Sequence, residues 1–199
     1  MVSAMPIPDL LQSGIRAVAF DAFGTLLLSP QPSAYRHLTG ADATDERRRL
    51  LTSVEPLVLH AMRLGCNIPL AQLLHELQSE LSQIRLFPDV AGTVAKLREA
   101  GLQIAVCSNL ASDYVPAVQR LLPPMDVYVM SCEVGAVKPE PEIFHALCDA
   151  LGLAPGEVLF VGDSARCDVH GPRRFGLAAM HLQRHMGMTL ESAVATYPG

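Results

Sequence analysis

The run Arg16-Ala-Val-Ala-Phe20, continued by Asp21-Ala22-Phe23-Gly24-Thr25-Leu26, decides the fold. Its first part is a short apolar stretch without polar alternation, the pattern of a strand covered on both faces in a parallel sheet. Asp21 ends the run, and Gly24 lets the chain turn sharply. In open parallel sheets chemistry sits beyond the carboxyl ends of the strands, so Asp21 stands where a reactive group belongs. Apolar runs of the same kind recur at 102–107, 127–130, 158–161 and 178–182, with helically spaced segments between them. That alternation predicts a doubly wound α/β sheet.

The connecting helices are legible from their apolar faces. Val90, Val94 and Leu97 share a face before Gly101, and Ile143, Phe144, Leu147 and Leu151 share another before Gly152, each glycine suiting a helix end. Residues 29–86 break the alternation, with no strand signal and two helical stripes. The first stripe is Leu50, Val54, Leu57, Val58, Ala61 and Leu64, with Asp45 and Glu46 in its first turn and Pro56 placed to kink or split it. The second is Leu70, Leu73, Leu74, Leu77, Leu81 and Ile84, with Pro69 at its start. Together they predict a small, all-helical inserted lobe whose two stripes pack on each other. Turns are expected at Pro30 to Pro32 and at Pro123-Pro124.

The chain has 199 residues, 50% of them hydrophobic, which suffices for one main domain and a satellite lobe. With 18% charged residues and a net charge of -5, it offers no basic field, and nucleic acid is not an expected partner. Five scattered cysteines without a CxxC pair suit a reducing cytosol. Pro6, Pro8, Asp9, Gln12 and Arg16 interrupt the start, which does not read as a signal peptide. No apolar run approaches membrane-spanning length, so a cytoplasmic protein with a small-molecule substrate and no membrane partner is expected. Nothing in the residues chooses between monomer and homodimer. The seven histidines form no HExxH or similar ligand pattern.

Four stretches at predicted strand ends carry polar groups. Asp21, followed by Gly24, is either a nucleophile or an ordinary turn aspartate. Ser108 and Asn109 supply a hydroxyl and a carboxamide able to donate to an anionic oxygen. Lys138-Pro139 sets a cation before a helix, able to neutralise both a nucleophile and an anion; alone, it would read as a solvated lysine. Asp163 ends the run 158–161 and Asp168 follows five residues on. Two hard oxygen ligands suit Mg²⁺, and the structural alternative is that both cap a helix. Cys107, beside Ser108, reads as a small buried hydrophobe rather than a thiolate.

These four stretches, in this order, resemble the four motifs of the haloacid-dehalogenase superfamily, with Lys138-Pro-Glu-Pro-Glu-Ile-Phe and Val161-Gly-Asp-Ser closest to it. The likeness spans about 17–176, and Leu86-Phe-Pro-Asp-Val resembles the return from a helical cap to the core. It implies a Rossmann-like core of 14–28 and 87–199 and a short helical cap of 29–86. It further implies that Asp21 is the nucleophile and that Ser108 and Lys138 hold the transferring group. Mg²⁺ would lie between Asp21, the backbone carbonyl of Phe23 and Asp163, with Asp168 supporting it directly or through water, while Thr25 and Asn109 orient the site.

One position departs from the phosphatase pattern. Phosphatases of the superfamily carry a second aspartate two residues after the nucleophile, as acid for the leaving alkoxide and base for water; here that residue is Phe23. Loss of such a group costs about a hundredfold to ten-thousandfold in rate. An aromatic residue there resembles the 2-haloacid dehalogenases, whose halide leaves without a proton and which need no metal. The Gly162-Asp163-Ser164 stretch points instead to the metal-dependent members. The leading expectation is a Mg²⁺-dependent phosphatase of a small phosphorylated metabolite, acting through an aspartyl-phosphate. The alternatives are a 2-haloacid dehalogenase, for which Arg36, Arg47, Arg48, Arg49 or Arg63 would have to receive the substrate, and a catalytically weak binder of a phosphorylated ligand or a protein.

Overall fold

A computed structural model describes residues 10–28, 34–38 and 43–197. The turn expected at Pro30 to Pro32 lies outside the described residues. The five apolar runs are five parallel strands: β1 Ala17–Phe20, β4 Gln103–Ser108, β5 Val127–Met130, β6 Val158–Gly162 and β7 Ala178–His181. They lie in the order β5-β4-β1-β6-β7. β1 is central, with Phe20 opposite Val106 on one side and Val161 on the other. The chain therefore crosses over on both sides of β1, and the carboxyl ends of β1, β4 and β6 open onto one crevice.

Alternation along β1 sorts the core. Val18 and Phe20 face the layer of α4 Val90–Glu99, α5 Val115–Leu121 and α9 Leu190–Ala195. Ala17 and Ala19 face the layer of α7 Pro141–Leu151, where Phe144 and Phe160 meet edge to face at 6.0 Å between centroids. Two alanines on that side leave room for the two large rings. α6 Ser131–Val134 and α8 Gly171–Phe175 complete the core helices.

Between β1 and α4 run α1 Ala43–Leu51, α2 Leu57–Arg63 and α3 Leu70–Gln83. Pro56 splits the first stripe, as its fixed φ and missing N–H require, and stands just before α2. Val54, counted in that stripe, falls between the helices and is exposed. Leu50, Leu57, Ala61, Leu73 and Leu77 join the same apolar cluster as Val18 and Phe20, so the helices pack down onto the core as well as on each other. Leu70 and Leu74 stay partly exposed, while Glu80 is buried. The absence of strand within 29–86 needs correcting. β2 Leu27–Leu28 pairs antiparallel with β3 Arg85–Leu86, a two-rung ribbon that ties the exit and return of the insertion together. Two residues are too few for periodicity to register. No described helix is long and apolar enough to cross a membrane.

Candidate active site

Asp21 follows β1 and is buried, its amide held by the Val161 carbonyl at 3.1 Å. Ser108, the last residue of β4, donates its hydroxyl to Asp21 Oδ1 at 2.9 Å. Lys138 is buried and donates Nζ to Asp21 Oδ1 and to Asp168 Oδ1, each at 2.7 Å. Asn109 grips the lysine's own peptide: its Nδ2 donates to the Lys138 carbonyl at 2.9 Å and its Oδ1 accepts from the Lys138 N–H at 2.7 Å. Asn109 therefore orients Lys138. The Lys138–Pro139 peptide is cis.

Asp168 lies on a π-helical turn, Ala165–His170, and its Oδ2 accepts the Ser164 N–H at 2.9 Å. Gly162 is small by necessity, because a Cβ there would meet the Asp168 carboxyl at 2.5 Å. Gly24 carries φ +82° and any Cβ on it would overlap the Asp163 carboxylate. Asp163 thus lies against the turn that follows Asp21, and His181 Nε2 meets the Asp163 carbonyl at 2.9 Å. Oxygens of Asp21, Asp163 and Asp168 fall within 4.8 Å of one another. An all-oxygen carboxylate set of that span fits Mg²⁺.

Three carboxylates cluster beside one ammonium, which pairs with two of them. Burial, reinforced by Asp168 and opposed by Lys138, raises the Asp21 pKa from 3.8 to about 6. Burial and Asp168 also raise that of Asp163. Burial alone would lower the Lys138 pKa, but Asp21 and Asp168 outweigh it and hold the ammonium firmly charged. The Cys107 thiol, pushed up to about 12 mainly by burial, is an apolar filler.

Phe23 is half-buried, edge-on to the Tyr114 ring at 5.9 Å, and Tyr114 in turn lies 5.6 Å from Tyr35. Both tyrosine hydroxyls are committed elsewhere. Tyr114 donates to buried Glu80, and Tyr35 to Asp113 Oδ2 at 2.7 Å. Each neighbouring carboxylate, after burial, raises its tyrosine's pKa further. Phe23 and Tyr114 consequently present ring carbon to each other, with the tyrosine hydroxyl turned to Glu80. Arg48 pairs with Glu140 at 2.8 Å, Arg49 with Glu46 at 3.6 Å and Arg63 with Glu55 at 3.0 Å; Arg36 and Arg47 are exposed.

The structure brings Asp21, Ser108, Lys138, Asp163 and Asp168 together, with Asn109 behind the lysine. Asp168, expected beside a metal, is first of all a partner of Lys138. Thr25 is buried, but its hydroxyl has no partner among the described residues; its carbonyl is what is held, by Arg184. Sequence reasoning passed over Arg184, Tyr114 and Glu80. For Glu80 a signal exists, since it continues the Leu73, Leu77 spacing on the buried face of α3. For Arg184 there is none.

Fold and site together define a Rossmann-like α/β enzyme with a buried carboxylate at its switch point. The chain belongs to the haloacid dehalogenase-like hydrolase family, whose model matches residues 15–176. It is 28% identical to (S)-2-haloacid dehalogenase 4A of Burkholderia cepacia over 85% of this chain and 84% of that protein. It is 29% identical to a phosphoglycolate phosphatase of Yersinia pestis over 92% and 86%. Among solved structures it resembles the HAD phosphatase from Thermococcus onnurineus, with a TM-score of 0.61, 26% identity and coverage of 85% and 87%. Relatives of both chemistries thus match along most of the chain.

Proposed function

We propose that this hydrolase is a Mg²⁺-dependent phosphatase of small phosphorylated metabolites that favours leaving groups able to depart without a proton. The observation that carries this reading is the clustering of Asp21, Asp163 and Asp168 within 4.8 Å of one another, with a single lysine paired to Asp21 and Asp168. A site with that surplus of negative charge receives a dianion only when a further cation is present. Asp21, Asp163 and the Phe23 carbonyl would hold Mg²⁺, with Asp168 beside it; the ion would offset the repulsion between carboxylate and phosphate.

The chain's own groups do the rest. Ser108 and Lys138 occupy Oδ1 of Asp21 and leave Oδ2 to attack phosphorus. As the new O–P bond forms, the bond to the leaving oxygen breaks and that oxygen keeps the electron pair. Lys138 stays protonated and balances the charge. Phe23 supplies no proton, so carboxylates and phenolates leave readily and alkoxides do not. Water then attacks the phosphorus of the aspartyl-phosphate, again without a base at position 23, freeing phosphate and Asp21. The helical insertion, 29–86, acts as the cap over this crevice, and the scattered cysteines support a reducing cytosol as its compartment.

A second reading, a metal-independent 2-haloacid dehalogenase, is favoured by Phe23 and its aromatic wall. Against it stand the surplus carboxylate Asp163 and the pairing of Arg48, Arg49 and Arg63 with Glu140, Glu46 and Glu55. The test is a panel of acyl, aryl and alkyl phosphates and 2-chloropropionate, each with Mg²⁺ and with EDTA. Phosphate release from acyl and aryl phosphates in Mg²⁺ alone is expected. Halide release that persists in EDTA, with no phosphate release, would overturn the proposal in favour of the dehalogenase.

A further inference from the structure

We infer that Arg184 is a positioning residue for the nucleophile, acting through the turn that carries Asp21 rather than on the substrate. It rests on the reading of Asp21 as nucleophile, and it holds for either leaving group. The turn after β1 closes on itself through the Leu26 and Leu27 N–H groups, both donating to the Ala22 carbonyl at 2.8 Å. One carbonyl in it points the other way. Thr25 is fully buried, its hydroxyl has no partner among the described residues, and its carbonyl receives Arg184 Nε at 2.9 Å and Nη2 at 2.6 Å. Without that guanidinium a buried backbone acceptor in the catalytic turn would be left unsatisfied.

The guanidinium is itself fixed on its remaining sides. Asp89 receives Nη1 at 3.1 Å and Nη2 at 3.2 Å, and Phe87 stacks under the plane at 3.9 Å. Asp89 is anchored in turn by the Leu190 N–H at 2.7 Å, and Phe87 by donating its own N–H to the Leu26 carbonyl at 3.0 Å. Arg184 thus joins three separate stretches: the catalytic turn, the return from the helical insertion, and the approach to α9. Asp89 balances its charge, so its action on the site is geometric rather than electrostatic. A planar fork with several donors is required, which lysine does not provide.

The consequence for the reaction is specific. Gly24 packs against Asp163 and the Phe23 carbonyl lies in the same turn, so a turn that drifts displaces the attacking oxygen and the metal-facing carbonyl together. A misplacement of an ångström at such a centre costs on the order of a hundredfold in rate.

Arg184→Lys and Arg184→Ala separate the possibilities. With 4-nitrophenyl phosphate and Mg²⁺, both should lower kcat roughly ten- to a hundredfold with KM within about threefold, and millimolar guanidinium chloride should restore part of the Arg184→Ala rate. Independently of any activity, amide hydrogen exchange in Arg184→Lys should quicken in the segment 21–28 while exchange in β4 and β6 stays as in the parent. Parent-like kcat in Arg184→Lys, or unchanged exchange at 21–28, overturns the assignment. Should the parent itself release no phosphate, the phosphatase reading fails, and hydrogen exchange alone decides the role of Arg184.

Discussion

On the proposed reading two side chains just beyond β1, Asp21 and Phe23, set the chemistry. Asp21 stands out in the sequence because it closes an apolar run, although a turn aspartate would read the same way; Ser108 and Asp163 also stand at strand ends, and Lys138 gains meaning only in their company. Arg184 does not stand out, because its meaning depends on a carbonyl 159 residues away. Phe23 stands where the phosphatase pattern has its second aspartate, and neither Tyr114 nor Tyr35 replaces it, since they spend their hydroxyls on Glu80 and Asp113. Phe23→Asp should therefore raise turnover of alkyl phosphates at least tenfold, measured by phosphate release, and keep an aspartyl-phosphate from accumulating with acyl phosphates; no gain on alkyl phosphates would show that proton transfer is not what the site lacks. Asp21 has a cost to stability. Its carboxyl titrates near 3.8 unfolded and about 6 folded, so between these values the folded chain holds a proton that the unfolded chain has lost. Metal-free protein is thus most penalised above pH 6 and gains stability as pH falls from 6 towards 4, by about 2 kcal/mol. Asp21→Asn should remove this dependence and raise Tm in EDTA at pH 7.5 by about 5 °C. A lower Tm in Asp21→Asn would contradict the charge balance described.

The elements were legible where they are long and amphipathic, and hidden where they are short or polar. All five parallel strands and the break at Pro56 follow from patterning. The two-rung β2–β3 ribbon does not, and the burial of a carboxylate on α3 shows only in its place on the Leu73, Leu77 face. Glu80 breaks the apolar stripe to reach across the insertion: it accepts the Ala34 N–H at 2.7 Å and the Tyr114 hydroxyl, while Asp113 answers from the core with Tyr35 and the Leu57 N–H at 2.8 Å. These reciprocal bonds hold α2 and α3 against the core. Tyr114→Phe removes one donor to a buried carboxylate and should cost about 1–3 kcal/mol in urea unfolding, although the ring contact with Phe23 survives. A loss below a few tenths of a kcal/mol would mean that the insertion does not depend on this pairing. The π-helical turn at Ala165–His170 was equally unreadable, because its signature lies in hydrogen-bond register and not in residue type.

At the scale of the molecule, a chain with a net charge of -5 gathers three carboxylates at the point where its strand order reverses, and stabilises them with one lysine. Such an arrangement carries a surplus of negative charge, and an ion that bound only the folded state would stabilise it by about 1–3 kcal/mol at ten to a hundred times its Kd. Millimolar Mg²⁺ should raise Tm by several degrees in the parent and not in Asp163→Ala, as read by differential scanning calorimetry; the same shift in both would take Asp163 out of the metal site. Doubly wound topology was open to sequence reading because alternation of apolar runs repeats five times, whereas the choice between two chemistries was not, since it turns on how few groups meet at one crevice. On the proposed reading Asp21 attacks phosphorus and position 23 offers no base to release it. Intact-mass and peptide-mapping analysis of the parent incubated with acetyl phosphate and Mg²⁺ tests this most directly: one phosphoryl group should accumulate on Asp21, absent in EDTA and in Asp21→Asn, whereas a chain left unmodified with no phosphate released would contradict it.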